Sequence, residues 1–332
     1  MPQVSVIIPV HNVENYLREC LDSVVNQTLT DIEIICINDG STDNSLCILE
    51  EYARADKRIK VISQQNQGQS VARNVGLTLV KSDYVVFIDP DDYFNVNALE
   101  VMYKKIIKTN DDLVISHCRA FADDINNPIQ IEKAKGFEQT LSPKPINSIL
   151  ITEENFEYFL ETLMVAVWGK IFSLKFLNDN KISFINKNVV HEDDGFNTKL
   201  LASMPVLSII DDITVMYRIR EKSSTFNLYS KKNKRKHEND MKIALKDAKE
   251  FIIDKYSKNF AKSLIKKIQD SSKYSRFFCF RRAGIKFSWH KYDKNFSIWF
   301  IPIFRQKIKN QKNIIKVLGI PLFCKSYQGV SL

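Results

Sequence analysis

Tyr84-Val85-Val86-Phe87-Ile88-Asp89-Pro90-Asp91-Asp92 is the stretch that decides the fold. An uncharged run of β-branched and aromatic residues ends abruptly in three carboxylates. The run predicts a buried strand of a parallel sheet. The acids cannot share that core, because unpaired buried charge is too costly. They stand where open α/β sheets bind ligands, just beyond the carboxyl ends of the strands. Carboxylates there suit a hard divalent cation, and such a cation suits a phosphate-bearing substrate. An acidic turn with a helix cap is the plainer reading of the same residues, so the surrounding segments decide between the two.

On either side, strand-like and helix-like segments alternate. Val4–Ile8, Ile32–Ile37, Ile59–Ser63 and Leu113–Ser116 read as strands. Glu14–Asn26, Asn44–Ala55, Ser70–Val80 and Asn97–Lys108 read as helices, with apolar residues at helical spacing. Repeated β-α units of this length predict an α/β fold, a mostly parallel sheet flanked by helices. Residues 120–150, with Pro128, Pro143 and Pro145, read as an excursion of loops. Beyond it, Glu153–Leu163 reads as a helix, Val165–Trp168 as a short strand, Glu192–Ala202 as a helix and Val206–Tyr217 as strand, turn, strand.

Charge divides the chain. Its 332 residues carry a formal net charge of +9, but residues 231–332 hold 26 Lys+Arg against 7 Asp+Glu, and residues 1–230 hold 22 against 32. Two regions follow, 1–230 and 231–332, the second opening with basic amphipathic helices over 239–256 and 259–269. The six cysteines are scattered without metal-ligand spacing, and Cys36 falls in an apolar run. They are expected as reduced thiols of a cytosolic protein. No signal peptide is apparent, and no apolar run approaches the ~18 residues of a membrane span.

Three more loops follow predicted strands. Pro9-Val10-His11-Asn12 can offer backbone groups to a base or ribose, or can be a plain strand-to-helix turn. In Asn38-Asp39-Gly40-Ser41-Thr42-Asp43, a capped turn explains Ser41–Asp43 but not Asp39, which is placed to accept from a ribose hydroxyl or a base N–H. Gln65-Asn66-Gln67-Gly68-Gln69-Ser70 leads into Ala72-Arg73-Asn74-Val75-Gly76, where Arg73 is either a phosphate or base ligand or a surface helix arginine. About a hundred residues past the acidic turn, His191-Glu192-Asp193-Asp194-Gly195-Phe196 opens a helix with three acids, a pattern that also suits the helix dipole.

Together these ordered segments resemble the inverting nucleotide-sugar glycosyltransferases of family 2, over roughly residues 3–225. The resemblance implies a Rossmann-like GT-A fold and a UDP-sugar donor. Pro9, Val10, His11, Asn12 and Asp39 would line the uridine pocket. Gln67, Gly68, Asp89 and Pro90 would join them on the nucleotide sugar, and Arg73 would approach the base or diphosphate. Asp89 and Asp91 form the Asp-x-Asp motif, with Asp91 favoured for direct contact to Mn²⁺ or Mg²⁺. Asp193 would be the general base, with Phe196 the aromatic residue three further on; Glu192 and Asp194 are neighbouring alternatives. Trp168 could stack on an acceptor sugar or be core, and Lys170, Arg220 and Ser224 are further acceptor or diphosphate candidates.

The basic region interleaves Lys and Arg with aromatics: Phe277, Phe278, Phe280, Phe287, Trp289, Trp299, Phe300 and Phe304. Phe300-Ile301-Pro302-Ile303-Phe304 and Gly319-Ile320-Pro321-Leu322-Phe323 look alike. Such a composition suits an anionic membrane surface. A homo-oligomer contact is the competing expectation, and nucleic acid is not expected. The resemblance implies a peripheral enzyme at the inner face of a bacterial plasma membrane, acting on a lipopolysaccharide, capsule or other lipid-linked glycan precursor. A nucleotidyltransferase would need basic residues gripping a triphosphate near the first strand, and Pro9–Asn12 offers none. A non-catalytic carbohydrate-binding scaffold would leave Asp91 and Asp193 without use.

Overall fold

The computed structural model describes residues 1–138, 144–163, 166–221 and 231–278, and four short strands beyond them. The first β-α units are β1 (Val4–Val10), α1 (Glu14–Val25), β2 (Ile32–Asp39), α2 (Ser45–Ala55), β3 (Ile59–Gln64), α3 (Gln69–Thr78) and β4 (Tyr84–Phe87). Then come β5 (Tyr93–Phe94), α4 (Ala98–Thr109), β6 (Leu113–Ala122), α5 (Pro128–Glu138), β7 (Ile146–Leu150), α6 (Glu153–Thr162) and β8 (Lys170–Ser173). Finally α7 (Leu174–Asp179), α8 (Glu192–Ala202), β9 (Val206–Ile219), α9 (Lys231–Lys255) and α10 (Lys258–Phe278) lead to β10 (Ile285–Ser288), β11 (Ser297–Phe300), β12 (Ile314–Val317) and β13 (Ile320–Phe323).

The main sheet runs β3-β2-β1-β4-β8-β6-β9-β5, with β7 paired to β9. β1 to β4 are mutually parallel where they pair, and β8 lies antiparallel between β4 and β6. Alternation along β1 builds two cores. Val4, Val6, Ile8 and Val10 join Leu17, Leu21 and Val24 of α1 and Leu99, Met102 and Ile106 of α4. Ile7 joins the other layer with Ala72, Phe156, Leu200 and Ile252. Because β1, β2 and β4 are parallel neighbours, their carboxyl ends bring His11, Asp39 and Asp89 to one edge.

Several expectations change in folded form. The 120–150 excursion holds a helix and an edge strand, α5 and β7. Of the short strand foreseen at Val165–Trp168, Val165 lies outside the described residues and 166–168 are not strand; a strand forms at Lys170–Ser173, where β4 and β6 supply partners on both sides. Val206–Ile219 is one strand of 14 residues. In place of the expected turn, Asp211 and Asp212 sit in a register shift against β6 around His117, so the extra residues bulge without ending the strand. The compact unit also does not stop where the charge changes: it runs Met1–Ser272, with Lys273–Leu332 a second unit. The reason is apolar burial, since α9 and α10 sink Ala244, Ala248, Ile252, Leu264 and Ile268. In the second unit β10 pairs with β11 and β12 with β13, each antiparallel. Among the described residues no helix is long and apolar enough to cross a membrane.

Gly76 sets how closely α3 lies on β1. A Cβ there would stand 2.5 Å from Cγ2 of the fully buried Ile7. Gly76→Ala is therefore expected to destabilise the fold by roughly 1–3 kcal/mol from overpacking, read as a lower urea midpoint, although alanine favours a helix.

Candidate active site

Arg73 lies on α3 with its side chain only 1% exposed. A buried guanidinium needs anions around it, and three arrive from two distant parts of the chain. Nη2 donates to Asp89 Oδ1 at 2.7 Å; Nη1 donates to Glu192 Oε1 at 2.9 Å and to Asp193 Oδ1 at 2.7 Å. Its plane lies over the Phe184 ring, 5.2 Å from the centroid, and Phe184 stacks on Phe196 at 4.2 Å. The aromatic three residues past Asp193 is thus a fully buried floor for the cluster. Gln69 Nε2 also donates to Asp89 Oδ1, at 2.7 Å.

Asp193 keeps 18% of its side chain exposed, so the cluster opens on one side. Burial pushes its carboxyl up, to about 8, against the pull of Arg73 and with Glu192 and Asp89 adding to the rise. Burial raises Glu192 as well, opposed by Arg73. Lys170 stands beneath, buried on β8, donating to Ala166 O at 2.6 Å and Asn197 Oδ1 at 2.8 Å. Burial brings its ammonium down to about 7 against Asp193 and Asp194. Asn197 in turn donates to the Asp193 backbone carbonyl at 2.8 Å. Lys170, named as an acceptor or diphosphate candidate, is thus a buried residue beside the proposed base. Trp168 is likewise 2% exposed and stacks on Tyr217, so it is core and offers no platform to a sugar.

The acidic turn is held by β9. Arg220 donates through Nε to Asp91 Oδ2 at 2.7 Å, and the Arg218 backbone N–H donates to Asp92 Oδ1 at 2.8 Å. Burial raises the Asp91 carboxyl against Arg220, and raises Asp92 well beyond the usual range with Asp91 and Asp89 adding to it. Asp92 Oδ2 is buried without a hydrogen-bond partner among the described residues. Arg218 also pairs with Asp123 and Glu19 and lies over the Phe121 and Tyr16 rings.

The first three loops close the other flank. Asp39 accepts from Gln67 N at 2.9 Å, Gly68 N at 2.8 Å and Gln64 Nε2 at 2.8 Å, which ties the 65–68 loop to the end of β2. Gly68 has φ 92°, and a Cβ there would meet Asn188 Oδ1 at 2.7 Å. His11 Nδ1 stands 2.8 Å from Asp39 O, and Asn12, at φ 51°, accepts from Thr42 N at 2.7 Å. His11, Asn12 and Gln67 are exposed at the rim, whereas Pro9, Val10 and Pro90 are buried, so only their backbone can face a ligand. Ser224 lies outside the described residues.

The sequence model of the family described as glycosyl transferase family 2 matches residues 5–177. The chain belongs to that family. Family 2 relatives include "Glycosyltransferase GlyA" of Streptococcus pneumoniae, 33% identical over 67% of this chain and 31% of its own length. "Putative glycosyltransferase EpsH" of Bacillus subtilis is 33% identical over 59% of this chain and 54% of its own. "Poly(ribitol-phosphate) beta-glucosyltransferase" of Bacillus spizizenii is 31% identical over 66% of this chain and 32% of its own. The chain thus spans from about a third to about half the length of these relatives. Staphylococcus aureus TarS 1-349, solved in complex with UDP-GlcNAc, superposes with a TM-score of 0.63 at 23% identity, over 85% of this chain and 74% of its own. That likeness places the family 2 unit in the GT-A fold. The match to the family ends before α8, so the Glu192–Asp193 pair is tied to it by contact with Arg73.

Removing Arg73 leaves Asp89, Glu192 and Asp193 facing one another. Arg73→Met is expected to cost about 3–5 kcal/mol of stability near neutral pH. Glu192 and Asp193 are raised in the fold, so the penalty should be largest at pH 8, where they must ionise together, and should shrink as pH falls and they take up protons. Urea unfolding across pH checks both the size and the sign.

Proposed function

We propose that this chain transfers a sugar from a UDP-sugar to a hydroxyl group with inversion, using Asp193 as general base. The observation that supports this reading is the convergence of Asp193 with Asp89 on one buried arginine, although 104 positions separate them in sequence. The hydroxyl oxygen of the acceptor forms a bond to the anomeric carbon as the bond from that carbon to the diphosphate oxygen breaks. The hydroxyl proton passes to Asp193, and UDP leaves with the electron pair. Back-side attack turns an α-linked donor into a β-linked product. A base with a carboxyl near 8 keeps high proton affinity at neutral pH, which suits it to a hydroxyl.

A divalent cation fits the donor set at the end of β4. Asp89 and Asp91 are hard oxygen donors, and Mg²⁺ or Mn²⁺ is commonly held by one or two carboxylates together with substrate phosphates. Among the described residues no group of three or more His, Cys, Asp or Glu is arranged to hold a metal. When bound, the cation would offset charge on the leaving diphosphate. Arg220 and Arg73, paired here with Asp91 and Asp89 at 2.7 Å, are the described cations on those two carboxylates.

The hexose or N-acetylhexosamine donor class is supported by the UDP-GlcNAc in the TarS complex and the glucosyl product named for the Bacillus spizizenii relative. Surface-glycan precursors as acceptors, and peripheral attachment of the basic region to an anionic membrane, are proposed from that region's charge and aromatic content.

Hydrolysis and transfer should be measured over a panel of UDP-sugars with Mn²⁺. Asp193→Asn is expected to lower kcat by about 10²–10⁴-fold with little change in donor KM; undiminished turnover would remove Asp193 from the chemistry. Since the base acts only when ionised, kcat/KM for the acceptor should rise with pH and level off above about 8, a limb absent from Asp193→Asn.

A further inference from the structure

The turn that presents the two acids is not held by the sheet. His191 precedes α8 at φ 80°, a left-handed conformation that a residue with a side chain rarely takes. Its ring explains how it stays there. Nδ1 lies 3.0 Å from Asp194 Oδ2, and Nε2 lies 3.3 Å from Nδ1 of His237 on α9. The two imidazoles meet edge to face, with centroids 5.4 Å apart. His237 is nine-tenths buried, unlike most of the polar residues around it in sequence.

His237 is the first of a stripe on α9. Asp240 accepts from Val190 N at 3.2 Å, Ala244 lies against Gly195, and Asp247 pairs with Lys199 at 2.5 Å. A Cβ on Gly195 would stand 3.1 Å from Ala244 O, so α8 and α9 pack closely at that glycine. Positions 237, 240, 244 and 247 share one helical face. That face follows the turn and α8 from Val190 to Lys199.

The charges along the chain of rings are consistent with a directed hydrogen bond. Burial disfavours a His191 cation, yet the hydrogen bond and charge of Asp194, with Glu192 and Asp240, raise its pKa overall. Burial lowers His237, helped by His191 and Lys236 and opposed by Asp240. In the orientation these shifts favour, His191 Nδ1–H faces Asp194 Oδ2, and a proton on His191 Nε2 faces Nδ1 of His237.

We propose that His237 is a positioning residue for the transfer: by accepting from His191 it fixes the left-handed turn that aims Asp193 into the cleft. The proposal rests on Asp193 being the base. It makes α9, which opens the basic region of the chain, part of the active site.

His237→Phe keeps a ring of similar bulk without the acceptor, and His237→Asn puts an amide oxygen near the place of Nδ1. Both should be assayed in the full chain on the best UDP-sugar of the panel with Mn²⁺, beside thermal unfolding and NMR titration of the His191 ring. His237→Phe is expected to lower kcat about tenfold or more with donor KM unchanged, and to shift the His191 titration. His237→Asn is expected to restore most of both. Wild-type kcat in His237→Phe, or equal losses in both variants that track melting temperature, would overturn the proposal. If Asp193→Asn stays active, the base assignment fails instead, and the His191 titration still reports whether His237 holds the turn.

Discussion

A buried guanidinium tolerates only a narrow set of surroundings, and Arg73 dictates the site by that constraint. Its charge needs anions and its flat faces need apolar cover. Asp89, Glu192 and Asp193 supply the first, and Phe184 supplies the second. Three carboxylates around one cation leave an excess of negative charge. Burial then raises the two acids that α8 contributes. The proton affinity proposed for the base is thus a product of the same packing that joins the end of β4 to the start of α8. A second arginine, Arg220, plays a similar part at Asp91 from the end of β9. The cleft is bounded by arginine–carboxylate pairs whose carboxylates come from the turn after β4 and the first turn of α8, and whose arginines sit on α3 and beside β9.

The donor flank follows a different logic. Asp39 carries three protein hydrogen bonds, two of them from backbone N–H groups of the 65–68 loop. Its first task is to order that loop. A ligand at Asp39 would meet a carboxylate already fixed in direction, which favours preorganised recognition. Gly68 belongs to the same device, because Asn188 approaches it too closely for any side chain.

Much of this was legible in the sequence where chemistry and local pattern coincide. The uncharged run at Tyr84–Ile88 ending in acids marked both the central strand and the site edge, and loops after β1 and β2 followed from the same alternation. Asp193 was legible as a candidate through its spacing to Phe196, but not its partner, since contact between α3 and α8 is set by sheet order. Trp168 and Lys170 show the limit in the other direction: their types suggest a sugar platform and a phosphate ligand, while their position beside β8 buries both. Phe184 lies in a stretch without periodicity, and Gln69 looks like any first-turn residue, so neither gave a signal. The His191–His237 contact joins residues 46 apart across the change in net charge, and composition alone drew a boundary between them. Charge reports what faces water; the apolar stripe of α9 and α10 decides what packs.

The central claim is that Arg73 and the acids of α8 act as one unit. A double-mutant cycle on unfolding free energy, using Arg73→Met, Asp193→Asn and the pair, tests it most directly. A coupling of roughly 0.5–3 kcal/mol is predicted, because neutralising Asp193 relieves part of the repulsion left when the guanidinium is removed. Single effects that simply add would mean that the two side chains do not share a site, and would contradict the account.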